Sequence, residues 1–261
     1  GGGVGSGAGG GEAAGAAPAA AAPAAEAGTG LRPWLAYGIP ACVASVAGWA
    51  LSFVDRYILA GLRDTGDVGI YTVGNVLGDR VIMVPLFAFT MAATPLLITA
   101  FERHGRGEVE RLMRVYTRIM LLVGLPSIAY VASAGHDVVT LVTGHRYYEY
   151  GPAAAVAPIV SVGSLLFGLA WLAHTGLAVA KQTKYMILTS AIGVVVNVAA
   201  NFALIPPFGI KGAAIATPLG TAAYLASTYY WARAHATWHF PVATLVRTCM
   251  ACGAGYAVLA A

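Results

Sequence analysis

From Trp34 onward the chain is a succession of seven apolar segments, roughly 34–60, 68–100, 112–134, 152–180, 184–206, 212–234 and 241 to the end. Most reach the ~20 residues an α-helix needs to cross a ~30 Å hydrocarbon core. Lipid offers backbone amides no partners, so segments of this kind must satisfy their hydrogen bonds internally, as helices. Composition agrees: 58% of the residues are hydrophobic and 10% are charged, whereas a soluble domain carries about 25% charged residues to solvate its surface. The expected fold class is all-α, a polytopic transmembrane helix bundle. The second and fourth segments exceed one crossing, and Pro85, Pro95 and Pro158 supply kink points within them.

Residues 1–30 are Gly, Ala and Pro with two Glu, too poor in large apolar side chains to offset ordering entropy, and read as a flexible linker. A six-helix lobe is expected over 31–240, and 241–261 reads as a truncated further helix. The chain begins GGGVGSGAGG and stops at Ala261 inside an apolar run, so it reads as a fragment of a longer protein. No signal-peptide pattern stands at its start. Cys249 and Cys252 have CxxC spacing but lie in an apolar run without a second ligand pair, and read as small helix residues. The net charge of +4 comes from basic residues scattered between apolar runs, which fits membrane topology and not a nucleic-acid partner. Arg32, the group Arg103, Arg106, Arg111 and Arg114, the pair Lys181 and Lys184, and Arg233 fall on one side if every segment spans. The opposite loops hold only Arg63, Arg146 and Lys211. The positive-inside rule places the linker and the 101–111 connection in the cytoplasm.

Polar groups inside spanning helices cost free energy and mark sites or structural partners. Asp79 and Arg80 lie near the middle of the second segment, about 100° apart on the helix. Two readings stay open: a hydrated cavity in which Arg80 meets an anionic substrate, or ion pairs with neighbouring helices. Arg118, within the third segment, is a second cationic candidate. Asp55, Asn201 and Thr217 fall roughly 8 Å below the outer ends of their segments, and Asn197 lies one turn deeper. These oxygens at shared depth suit a small hard cation; equally, Asn and Thr hydrogen-bond across helices as packing contacts, and Arg56 is placed to satisfy Asp55. His174 is an intramembrane titratable group, read either as a proton relay or as a histidine bonded to a neighbour.

Two stretches carry a family likeness. YGIPACVASVAGWALSFVDRYILAGLRDTGDVGIYTVG (37–74), with DRYIL at 55–59 and VGIY at 68–71, resembles the seventh helix and following loop of polysaccharide flippases of the multidrug/oligosaccharidyl-lipid/polysaccharide exporter superfamily. NVAANFALIPPFGIKGAAIATPLG (197–220) resembles their eleventh-to-twelfth helix junction. The likeness covers about 34–235. It implies the C-terminal lobe of a two-lobed fold, a missing N-terminal lobe, and alternating access at the cytoplasmic membrane. The implied substrate is a lipid-linked oligosaccharide whose pyrophosphate the cationic Arg80 and Arg118 would hold, with Asp79 beside Arg80 in the same substrate group. The related lipid II flippases bind sodium in this lobe, and the matching positions here are Asp55, Asn197, Asn201, the carbonyl of Ala213 and Thr217. Asn201 stands where those flippases carry a second carboxylate, which lowers the charge of the site. No cofactor is expected beyond a coupling sodium ion or proton, and no partner beyond membrane lipids, the substrate and the other lobe. The alternatives are a cation-coupled drug exporter, for which the intramembrane cations are unsuited, a membrane-embedded glycosyltransferase or polymerase, for which the loops are short, and a non-transporting scaffold.

Overall fold

The computed structural model describes residues 53–144, 150–179, 183–235 and 240–260. The linker over 1–30, Arg32, the first part of the first apolar segment, and the loop residues Arg146, Lys181 and Trp238 lie outside the described residues. The chain divides into two units, Gly1–Val54 and Asp55–Ala261; the architecture that follows is that of the second.

Every element among the described residues is helical. The first helix of this unit, α1, runs over 55–62. It is followed by α2 (Thr65–His104), α3 (Arg106–Thr143), α4 (Ala153–Val179), α5 (Thr183–Phe208), α6 (Ile210–His235) and α7 (Val242–Ala260). Four stretches, Thr65–His104, Arg106–Thr143, Ala153–Leu177 and Tyr185–Phe208, are long and apolar enough to cross a membrane. The bundle is the all-α membrane architecture expected from the apolar segments.

Its connections are shorter than the polar stretches suggest. The 101–111 connection shrinks to Gly105, and a second one-residue break falls at Gly209. Both glycines have positive φ, 74° and 58°, a conformation that reverses the chain without the strain a Cβ would bring. The Gly105 N–H bonds Phe101 O at 3.1 Å and the Gly209 N–H bonds Ile205 O at 2.8 Å, closing the preceding helix in each case. The charged residues flanking Gly105 stay helical because they pair along the helix: Arg111 with Glu108 and Arg114 with Glu110, both at 2.8 Å. At 40 residues α2 is about 60 Å long, twice the hydrocarbon core. Asp64 caps its first turn by accepting from the Asp67 N–H at 2.9 Å.

The central helix is α4, which packs on α2, α3, α5 and α6. One cluster of buried side chains joins α2, α3 and α4 through Ile82, Leu86, Leu97, Met113, Met120 and Leu165. A second joins α1, α2, α4, α5 and α6 through Leu59, Tyr71, Val156, Val160, Ile205 and Ala213. The exterior is apolar, with Val84, Phe87, Leu122, Ile187, Val195 and Phe202 all exposed. In water such a surface would aggregate, and in a bilayer it is solvated. Because lipid removes the hydrophobic drive between helices, close backbone approach through small residues does the packing.

Candidate functional site

Two tight reversals set the depth of the polar cluster. Asp55 and Tyr71 each lie eight residues from Arg63, at the turn between α1 and α2; Asn201 and Thr217 each lie eight residues from Gly209, at the turn between α5 and α6. At 1.5 Å per residue all four sit about 12 Å below their turns. The turns are tied to each other: Arg63 Nη2 donates to the Pro206 carbonyl at 3.0 Å. A shared turn height and an equal residue count make the four groups level. Counted from these turns, Asp55, Asn201 and Thr217 lie about 12 Å deep where about 8 Å was expected from the segment ends, and Tyr71 lies at the same level.

Tyr71 is wholly buried, and its hydroxyl donates to Asp55 Oδ2. The Arg56 backbone N–H donates to Asp55 Oδ1 at 2.9 Å. On the next turn of α2, Asn75 Nδ2 donates to the Tyr71 hydroxyl at 3.2 Å, and Asn75 Oδ1 accepts from Arg56 Nη2 at 3.0 Å. The Thr217 hydroxyl of α6 lies beside Tyr71 and donates to the Ala213 carbonyl at 3.5 Å. Asn197 Nδ2 reaches across to Ala216 O at 3.2 Å. That reach depends on Gly220, where a Cβ would fall 2.5 Å from the Asn197 Cβ. Asn201 Nδ2 turns back to Asn197, 3.0 Å from its carbonyl and 3.2 Å from its Oδ1. Its own Oδ1 is buried without a hydrogen-bond partner, and Asn201 is 0% exposed. A buried acceptor left unpaired is costly, and a water or an ion can serve it.

The helices bring to similar depth the Asp55 carboxylate, the unpaired Asn201 Oδ1, the Thr217 hydroxyl and the Ala213 carbonyl, all of them oxygens of the kind a hard cation takes. One carboxylate supplies a single negative charge. Among the described residues no group of three or more His, Cys, Asp or Glu side chains gathers.

The three residues read as a substrate group do not come together. Asp79 points inward, where Ser164 Oγ of α4 donates to its Oδ1 at 2.7 Å; Arg80 is exposed. Arg118 is exposed on α3. Counted from Gly105, Arg80 lies 25 residues up one arm of the hairpin and Arg118 lies 13 up the other, so their heights differ by about 18 Å. His174 sits between α4 and its neighbours, its Nε2 3.2 Å from the Met186 carbonyl and its ring edge-on to Tyr224 at 5.6 Å. It is a histidine bonded to neighbours. The residue that sequence reasoning missed is Tyr71, although it ends the VGIY stretch; the missing signal was the tightness of the turn at Arg63.

A family model described as MatE matches residues 40–203. The chain is also 25% identical over 194 residues to the protein named "Probable flippase AglR" of Haloferax volcanii, an alignment that takes in 74% of this chain. It spans 40% of the length of that curated relative. No solved structure matches the chain.

Proposed function

The chain belongs to the MatE family, within the multidrug/oligosaccharidyl-lipid/polysaccharide exporter superfamily, and is a multi-pass membrane transporter chain; from that premise we propose that it is the C-terminal lobe of a cation-coupled flippase for lipid-linked oligosaccharides in the cytoplasmic membrane. The observation that carries the substrate reading is the division at residues 79 and 80. Asp79 is held by Ser164 inside the lobe, which leaves the neighbouring Arg80 exposed in the apolar length of α2 without that carboxylate on its face. A cation at such a depth is costly unless it meets an anion or water. The pyrophosphate of a polyprenyl-linked sugar is an anion that a guanidinium holds in bidentate fashion. The name of the Haloferax volcanii relative supports flipping as the transport step. A drug exporter handling cations would be poorly served by Arg80 and Arg118.

The coupling reading rests on the Asp55 cluster. Asp55, Asn201, Thr217 and the Ala213 carbonyl would hold the cation, with Asn197 orienting Asn201. Bound there, the ion would neutralise the buried Asp55 carboxylate and join α1, α5 and α6. An effector of this sort shifts a two-state transporter only through its different affinity for the two states.

The test uses the full-length protein reconstituted in vesicles with a fluorescent lipid-linked oligosaccharide. Transport is followed across a series of sodium and proton gradients. The proposal expects Arg80→Ala to lower the rate at least tenfold, and Asp55→Ala to abolish its dependence on one of the two gradients. Transport unchanged in Arg80→Ala would remove the substrate role of that residue. Gradient dependence unchanged in Asp55→Ala would remove the coupling site. Export of cationic drugs in place of the oligosaccharide would favour the exporter.

A further inference from the structure

We infer that the Tyr71 hydroxyl competes with the coupling cation for the Asp55 carboxylate, acting as a displaceable cap that holds α1 to α2. The inference rests on the reading of the Asp55 cluster as a monovalent cation site, and adds to it a residue from a helix outside the oxygen set. A phenol has one O–H to donate and two lone pairs to accept with. The Tyr71 hydrogen is committed to Asp55 Oδ2. Its oxygen accepts from Asn75 Nδ2 at 3.2 Å, with Thr217 alongside. What Tyr71 presents to Asp55 is therefore the positive end of its O–H dipole, the end that a cation would have to replace.

Both carboxylate oxygens have donors. Oδ1 takes the backbone N–H of Arg56, which cannot turn away without unwinding α1. Oδ2 takes Tyr71, whose hydroxyl swings about the ring bond. Tyr71 is the donor that yields. Its release is not local, because Asn75 holds the Tyr71 oxygen with one end of its amide and Arg56 Nη2 with the other, at 3.0 Å. Freeing the phenol loosens the amide, and with it the side-chain tie between α1 and α2. Cation binding at Asp55 is thereby linked to the freedom of α1 against α2. That linkage is what a coupling site needs in order to prefer one conformation of the lobe.

The experiment measures sodium binding to the full-length protein in detergent, by radiosodium binding and by sodium-dependent shift of the thermal transition. Tyr71→Phe keeps the ring and its packing and removes only the hydroxyl. A hydrogen bond to a charged group opposes the cation in the wild type, so its loss is expected to tighten binding by about tenfold. Asn75→Ala, which frees the hydroxyl from its holder, is expected to tighten binding by roughly threefold. It is the deciding variant if Tyr71→Phe does not fold. Asp55→Ala is expected to abolish binding. If Asp55→Ala abolishes binding while Tyr71→Phe leaves it unchanged or weaker, the cap is overturned and the cation site stands; a weaker Tyr71→Phe would make the phenol oxygen a ligand. If Asp55→Ala binds as the wild type does, or the wild type and both cap variants bind no sodium, the cation site falls and the cap falls with it.

Discussion

Replacing Gly78 by alanine tests the packing that holds the site together. A Cβ at Gly78 would lie 2.2 Å from the Ala157 carbonyl oxygen, 3.0 Å from its carbon and 3.1 Å from its Cα. An unstrained carbon–oxygen contact is about 3.3 Å, so α2 and α4 must part by about 1 Å. All three atoms are backbone atoms of a helix, and no rotamer change relieves them. Separation stretches the bond from Ser161 Oγ to the Gly78 carbonyl, 3.0 Å, and the bond from Ser164 Oγ to Asp79, 2.7 Å. Overpacking costs about 1–3 kcal/mol, and a weakened hydrogen bond to a carboxylate adds up to about 1.5–3 kcal/mol. The gain in helix propensity from Gly to Ala returns about 1 kcal/mol. The expected net loss is about 1.5–5 kcal/mol, read from equilibrium unfolding of the full-length protein in mixed micelles. Gly107→Ala serves as the control: Gly107 is helical with nothing within 4 Å of its Cβ position, so this variant should be neutral or more stable by up to about 1 kcal/mol. If Gly78→Ala is as stable as Gly107→Ala, α2 and α4 do not meet backbone to backbone and the packing argument fails.

Ser164→Ala leaves Asp79 without its inward donor and should cost about 1.5–3 kcal/mol in the same unfolding measurement, with Ser164→Thr recovering most of it. Asn201→Asp places a second carboxylate on the orphaned acceptor and should tighten sodium binding roughly tenfold, seen as a larger sodium-dependent thermal shift; a shift no larger than wild type would show that residue 201 does not face the ion. Arg63→Met unties the α1–α2 turn from the Pro206 carbonyl at an exposed position. It should cost less than about 1 kcal/mol, yet raise amide hydrogen exchange in the segment 59–64; unchanged exchange would mean that the tie does not order the turn.

The helices were legible because lipid imposes one rule, that each apolar run close its own hydrogen bonds, and α4, α5 and α6 fall within a few residues of their apolar segments. The ends were less legible. Around Gly105 the charged residues looked like a loop, but Glu108 and Glu110 pair along the helix with Arg111 and Arg114, and the helices run on past the apolar stretch. Depth brought out Asp55, Asn201 and Thr217 because each turn was bounded by Gly or Pro. Tyr71 is not legible by depth, because an apolar run that starts at Val68 leaves the phenol near the surface. Once the turn is centred on Arg63, Tyr71 is level with Asp55. The inward direction of Asp79 was not legible at all, since a 100° separation from Arg80 does not say which of the two faces the lobe.

Among the described helices α7 packs chiefly on α3, with Leu245 against the buried cluster that α3 shares with α2 and α4. In mechanical terms it is a lever hinged along that helix. A load applied to α7 would pass first into α3 and that cluster. A protein that gripped α7 would act there before it acted on the cluster that holds Leu59 and Tyr71.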